Sequence, residues 1–427
     1  MQIHVVSQGE SLYEIGKIYG VPYEQIASAN ELESDTRLAV GQALVIPIIG
    51  SYYWVRPGDS LYTIAQRYGL SVARLARINA INPAARLMVG QRLYIPQEVK
   101  TPIDSLLYVE TRNPVSQAML AEVRERVDGL TYLAMFSYEV QRDGSLKMPA
   151  IADIPTTAKN AGVLNMLVLT NLENYTFSAE LGHVIFTDKE AQNRMIQSAI
   201  SIANEVGYKD IHFDFELLFP EDRELYNELL RNATKQIHDA GLTISTALAP
   251  KAGEVTTGIY GAHDYKVHGE IVDFVVLMTY EWGYTYSAPQ AVSPIGPVTK
   301  VVEYAVSQIP KEKVFLGQNL YGYDWMAPFG QPDSKAATAL SPRMATNLAI
   351  EQNVAIEYDA LAQAPHYTYY DEQGIEHEVW FEDARSINAK FDLLKQFKLR
   401  GIMYWKLGLA FPQNWLLLED RFTIRKR

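Results

Sequence analysis

The sequence predicts an α/β protein: a (β/α)8 barrel of the TIM type with a small α+β insertion, preceded by two small βααβ modules. Three observations predict it. A gapless internal repeat fills the N-terminal part of the chain. Beyond it, eight β-rich segments alternate with helical stretches, as a parallel barrel requires. One of these segments, Ile211-His212-Phe213-Asp214-Phe215-Glu216, alternates with period two, so His212, Asp214 and Glu216 share one face and Phe213 and Phe215 the other.

The repeat comes first in the chain. Residues 3–47 return as 52–96 at a constant offset. Gly9-Glu10-Ser11-Leu12-Tyr13 returns as Gly58-Asp59-Ser60-Leu61-Tyr62, and Asn30 as Asn79. Val40-Gly41-Gln42-Ala43-Leu44-Val45-Ile46-Pro47 returns as Val89-Gly90-Gln91-Arg92-Leu93-Tyr94-Ile95-Pro96. Each copy reads as a short strand (4–7, 53–56), a Ser N-cap, an amphipathic helix closed by Gly20 or Gly69, a second helix (23–29, 72–78) and a closing strand. The modules are expected at 1–48 and 51–97, with a linker at 98–105 and the barrel at 106–427.

About 320 residues remain, the size of one barrel with an insertion. Strands are expected at 105–110, 130–138, 164–169, 210–216, 243–249, 271–280, 313–320 and 401–406, and helices at 190–206, 221–240, 298–308 and 384–397. The number of residues leaves room for an insertion, which the resemblance given below implies at about 326–383, before the last helix.

The chemistry gathers where these strands end, which is where barrel active sites lie. A buried parallel strand tolerates carboxylates only near its end, facing a cleft. The fourth strand places Asp214 and Glu216 there. The third ends at Asn171, the sixth in Met278-Thr279-Tyr280-Glu281-Trp282, the seventh in Asn319-Leu320-Tyr321, and the eighth in Tyr404-Trp405. Several aromatic rings at strand ends form a surface on which sugar C–H faces can stack.

The bulk properties narrow the classes. The chain has 427 residues, 48% apolar and 21% charged, the balance of a globular protein of more than one domain. No apolar run approaches the roughly 20 residues of a membrane span, so membrane insertion is not expected. The net charge, 38 − 50 = −12, argues against nucleic acid as the main partner. With no cysteine, disulfides, thiolate catalysis and cysteine-bound zinc are excluded. The eight histidines lack paired ligand spacing and no phosphate-binding glycine loop is visible, so no metal and no cofactor are expected. No obligate protein partner is evident. The opening Met-Gln-Ile-His-Val-Val has no basic region and no long apolar core, so no secretory signal is expected.

The repeated unit resembles the LysM module, on its Gly-(Glu/Asp)-Ser-Leu opening, its Tyr-Gly, its Asn and its Val-Gly-Gln-x-Leu-x-Ile-Pro ending. The resemblance implies binding to glycans containing N-acetylglucosamine, such as peptidoglycan or chitin. The implied groove residues are Gly9, Ser11, Leu12 and Asn30, and Gly58, Ser60, Leu61 and Asn79. The copies differ in charge. The first carries Lys17 and Arg37 against Glu10, Glu14, Glu24, Glu31, Glu33 and Asp35; the second carries Arg56, Arg67, Arg74, Arg77, Arg86 and Arg92 against Asp59. This asymmetry suggests that the second module is attracted to an anionic matrix. The alternatives are that the modules pair with each other or dock on the barrel.

The barrel region resembles family 18 glycoside hydrolases. Asp214-Phe215-Glu216 is similar to the end of that family's Asp-x-x-Asp-x-Asp-x-Glu motif. Met278-x-Tyr280, residues 320–325 and Trp405 are similar to its later strand ends. The family's nucleophile is the substrate's own 2-acetamido group. The resemblance therefore implies Glu216 as general acid, Asp214 as partner of the acetamido N–H, Tyr280 on the acetamido oxygen and Trp405 as the floor of the subsite. His212, Met278, Glu281, Trp282, Tyr321, Asn319 and Asn171 are the further substrate-binding candidates. His212, Asp210 and Lys209 stand where the family usually has its middle aspartate, its glycine and its first aspartate, and Glu281 replaces an aspartate. His212 is expected to support Asp214 by hydrogen bond or charge.

Two LysM-like modules before such a barrel resemble the spore cortex-lytic N-acetylglucosaminidases of endospore-forming bacteria. That implies a retaining hydrolase of cortex peptidoglycan, associated with the spore. A chitinase or chitooligosaccharide hydrolase, an enzyme acting on protein-linked glycans, and a non-catalytic glycan binder are the other readings.

Overall fold

Eight apolar segments pair side by side in the computed structural model, which describes residues 1–33, 36–331 and 334–427. They are β1 (Thr101–Glu110), β2 (Tyr132–Val140), β3 (Leu164–Thr170), β4 (Asp210–Asp214), β5 (Thr243–Leu248), β6 (Phe274–Leu277), β7 (Val314–Asn319) and β8 (Gly401–Trp405). Each is parallel to the next, and β8 pairs with β1, closing a (β/α)8 barrel. Period-two alternation sorts the side chains. Leu106, Tyr132, Met166, Phe274, Phe315 and Met403 fill the barrel interior. Ile211, Phe213 and Phe215 point outward beneath the helices, where Phe215 stacks on Tyr226 at 5.9 Å.

The helices begin and end where their sequences direct. The Lys189–Val206 helix opens on Asp188, whose carboxylate accepts from the Glu190 and Ala191 amides, and closes on Gly207 at φ 92°. The helix Ala384–Phe397 opens on an Asp383/Ser386 capping box.

Three boundaries differ from expectation for tertiary reasons. β1 begins at Thr101, inside the expected 98–105 linker, because Phe422–Ile424 pairs with Thr101–Ile103. Asp104 in that stretch is fully buried and satisfied by Arg400, Arg425 and Arg427. β4 leaves the ladder after Asp214, two residues early, because Phe215 and Glu216 are held by side chains instead. β6 is shorter than 271–280 because Ile271 closes the preceding helix Tyr265–Ile271.

The insertion is a five-stranded antiparallel sheet with the helix Pro342–Glu351. Its first strand in sequence is Gly322–Met326, so it starts just before the expected 326.

The modules have the expected order. Gln2–Val5 pairs with Ala43–Ile46, and Ser51–Trp54 with Arg92–Ile95, each pair enclosing two short helices. Both opening strands lie two residues earlier than expected. The first module is docked on the barrel. Ala43 and Val45 join the barrel's outer core, and Ala39 joins the core of the insertion. The Ile356 N–H donates to the Val40 carbonyl at 2.8 Å, Arg385 donates to the Gly41 carbonyl at 3.0 Å, and Glu31 is paired with Arg343. Asp35 lies outside the described residues.

The second module leans on the first. Gln2 and the Tyr52 backbone exchange two hydrogen bonds, Arg92 donates to the Ile18 carbonyl, and Trp54 meets Tyr19 edge-on at 5.6 Å. Among the described residues, no helix is long and apolar enough to cross a membrane.

Candidate active site

The carboxyl ends of the strands surround a cavity of about 510 Å³. The alternation of β4 directs Asp214 into it, and Glu216 follows one step higher. Met278, Tyr280, Glu281, Tyr321 and Trp405 also line it, each of which the sequence pattern had marked as a candidate. Trp405 is wedged upright by Phe136 at 4.8 Å and Tyr108 at 5.4 Å, both edge-on, so its ring is fixed before any ligand arrives.

The electrostatics favour a proton on Glu216. Burial pushes the Asp214 carboxyl up to about 7, and Asp214 Oδ1 has no hydrogen-bond partner among the described residues. Burial, then the charges of Asp214 and Glu281, hold Glu216 well above the usual carboxylate range. Burial likewise lifts Tyr280 well above an ordinary phenol, so its hydroxyl remains a donor.

Burial raises the Glu281 carboxyl from its ordinary value against two hydrogen bonds that lower it, although the side chain still reaches solvent at the open mouth. Those come from the Tyr321 hydroxyl and, at 3.1 Å, the Tyr323 hydroxyl. Glu281 stands at φ 68° and Leu217 at φ 51°, backbone conformations that side-chain-bearing residues adopt at a cost. Both lie on the cavity rim.

Four candidates lie elsewhere, and their expected contact with substrate is corrected here. His212 is fully buried beneath the cavity. The Ser245 hydroxyl donates to Asp210 at 2.5 Å, so it accepts from His212 Nδ1–H at 2.8 Å. That leaves His212 Nε2 to accept from the Tyr108 hydroxyl at 2.7 Å. Burial lowers its pKa to about 3, which favours the neutral ring, and both ring nitrogens are engaged by Ser245 and Tyr108 rather than by Asp214. Asn171 is buried and bonded to the Glu216 backbone. Asn319 is buried, donating to the Tyr321 carbonyl at 2.6 Å. Trp282 packs against the outer core.

In the modules, the named side chains hold the fold. Leu12 and Leu61 are core residues, and Ser11 and Ser60 cap helices. Asn30 and Asn79 each bridge a helix end to the closing strand through three backbone hydrogen bonds. Gly9 and Gly58 make turns at φ 84° and 86°.

Sequence reasoning missed Tyr108, Tyr260 and Lys406, which also line the cavity. Tyr108 was detectable, since it falls on the inward phase of β1. Tyr260 ends a single 3-10 turn, Gly258–Tyr260, in the connection after β5 and carried no signal.

A closed barrel with two carboxylic acids at the end of β4 and an aromatic floor is the arrangement of a glycoside hydrolase. The family "Glycosyl hydrolases family 18" matches residues 108–410, and the LysM domain matches 4–47 and 53–96. The chain belongs to glycosyl hydrolase family 18 and carries two LysM domains. It is 53% identical over 432 residues to the cortical fragment-lytic enzyme of Bacillus subtilis (strain 168), covering 100% of this chain and 99% of that protein. It is 50% identical to the cortical fragment-lytic enzyme of Bacillus anthracis, covering 100% of each. The crystal structure of the Bacillus cereus spore cortex-lytic enzyme SleL superposes with a TM-score of 0.91 at 47% identity, covering 100% of this chain and 98% of that one.

Proposed function

We propose that this protein hydrolyses spore cortex peptidoglycan at the β-1,4 bond after N-acetylglucosamine, with retention of configuration, and that it works in association with the spore. The observation that carries the reading is the pair Asp214 and Glu216 at the floor of a cavity walled by Tyr280, Tyr321 and Trp405, with burial and the charge of Asp214 holding Glu216 well above the usual carboxylate range. Similarity over the full length to cortical fragment-lytic enzymes supports the choice of polymer.

In this mechanism Glu216 gives its proton to the glycosidic oxygen as the bond to C1 breaks. The carbonyl oxygen of the substrate's 2-acetamido group closes on C1 and forms an oxazolinium. Asp214 Oδ1 accepts from the acetamido N–H, and its charge offsets that of the oxazolinium. The Tyr280 hydroxyl holds the acetamido oxygen in line, and Trp405 supports the face of the sugar. Glu216, now a carboxylate, takes a proton from the water that attacks C1 and reopens the ring.

Anchoring falls mainly to the second module. In the first, Ala39 is buried in the insertion and Gly41 abuts Ile356, leaving only the Val40 side chain exposed, whereas the counterparts Met88, Val89 and Gly90 are all exposed. Arg56, Arg74, Arg77 and Arg86 are also exposed, while Arg92 is engaged by the first module and Arg67 by Tyr53 and Asp59.

The test is mass spectrometry of products from cortex muropeptide fragments and from chitin oligosaccharides. New reducing-end N-acetylglucosamine from cortex fragments, lost roughly 10²–10⁴-fold in Glu216→Gln, is the expected result. Turnover of chitin oligosaccharides alone would move the protein to the chitinases.

A further inference from the structure

The ladder between β3 and β4 ends at the pair Thr170–Asp214, so the sheet gives no backbone partner to the next residues. Two side chains from outside the carboxylate motif take its place. Asn171 Oδ1 accepts from the Glu216 N–H at 2.9 Å, and Asn171 Nδ2 donates to the Glu216 carbonyl at 2.9 Å. One amide thereby imitates a neighbouring strand. The same Nδ2 donates to the Ser178 carbonyl at 3.0 Å, which fixes its orientation.

The other side chain is His263, from the loop after β5. Its Nδ1 lies 2.8 Å from the Ala249 N–H, a donor, so Nδ1 is the accepting nitrogen. Its Nε2 therefore carries the proton and donates to the Phe215 carbonyl at 2.9 Å. The Phe215 carbonyl and the Glu216 N–H are the two polar ends of a single peptide group. Asn171 thus holds one end and His263 the other, and Asn171 also holds the carbonyl that follows. Leu217 then turns away at φ 51°, so the chain cannot continue as a strand.

We propose that Asn171 and His263 are positioning residues that clamp the peptide carrying Glu216, fixing the origin of its side chain against the sugar. The proposal rests on Glu216 being the general acid. A proton transfer of this kind depends on sub-ångström placement, and a displacement of about 1 Å costs on the order of 10²-fold in rate. The clamp needs His263 neutral, since a proton on Nδ1 would face the Ala249 N–H. Burial lowers the His263 pKa to about 4, which favours the neutral ring above that value.

The experiment uses the full chain with Asn171→Leu, Asn171→Asp, His263→Leu and His263→Gln, assayed on cortex muropeptide fragments beside Glu216→Gln. Asn171→Leu and His263→Leu are expected to lower kcat per folded molecule on the order of 10²-fold, with KM and the shape of the pH profile nearly unchanged. His263→Gln, which keeps a donor toward Phe215, is expected to recover part of the loss. Hydrogen exchange of the 213–220 segment is expected to speed up in both Leu variants.

Unchanged kcat in the folded variants, or a rise in KM alone, overturns the proposal. Should a Leu variant fail to fold, Asn171→Asp, which keeps only the acceptor, decides the same question. If the wild type turns over no substrate, or Glu216→Gln stays active, the functional reading fails instead. The exchange measurement still decides whether the clamp exists.

Discussion

Gly41 lies so close to Ile356 that a Cβ on residue 41 would stand 1.8 Å from the Ile356 carbonyl oxygen. Its counterpart in the second module, Gly90, has nothing within 4 Å of the same position. Both have nearly the same left-handed backbone, φ 82° and 84°. The repeat therefore contains its own control: one loop, once docked and once free.

Alanine at each position measures the dock. Gly90→Ala is expected to cost only the left-handed strain, about 1–2 kcal/mol, within the second module. Gly41→Ala adds a backbone collision and is expected to lower the thermal midpoint of the whole chain by clearly more. Equal losses in scanning calorimetry would mean that the dock contributes nothing to stability.

Removing the charge of Glu281 is expected to move the alkaline limb of the pH–rate profile. Glu281 raises the pKa of Glu216, so Glu281→Gln lowers it. The general acid then loses its proton at lower pH, and kcat/KM begins to fall earlier as pH rises. A limb that stays in place, or moves upward, refutes the coupling.

His212→Asn is expected to cost stability rather than shift titration. It removes a buried ring bonded to both Ser245 and Tyr108, a loss of about 1–3 kcal/mol for each polar group left unsatisfied. His212 is neutral above about pH 3, so the pH–rate profile above that value should keep its limbs. A shifted limb would restore an electrostatic role. The sign for stability is definite: the folded pKa is depressed from 6.5 to about 3, so this histidine's contribution is present above pH 6.5. It is lost as pH falls toward 3, and His212→Asn should flatten that part of the stability curve.

Binding to insoluble peptidoglycan is expected to weaken as salt rises, through the exposed arginines of the second module. Arg74→Ala with Arg77→Ala should weaken binding at low salt and flatten the salt dependence in a sedimentation assay. Equal binding by wild type at low and high salt would remove the electrostatic component.

Much of this was legible in local pattern. The offset between repeats, the period of each strand and the caps of the module helices are short-range signals, and they placed all eight barrel strands and the two modules. The same alternation put Asp214 and Glu216 on one inward face. Tyr280, Tyr321 and Trp405 were legible because they end strands, and strand ends converge on one mouth in a parallel barrel. His212 shows where pattern misleads: it shares that face, but it lies one layer below the cavity and is bonded away from it. Asn171 stands at a strand end as well, but its partner is the Glu216 backbone and it does not line the cavity.

The sequence by itself determined the barrel, the modules and the two carboxyls at the end of β4, because hydrophobic period and turn chemistry are written residue by residue. The tertiary structure alone decided that β1 absorbs the expected linker and that the first module is held against the insertion. It alone decided that His263, far from the motif in the chain, grips the peptide next to Glu216. Those outcomes depend on which backbone groups are left unpaired where separate elements meet. Such groups are defined only once the chain has closed on itself.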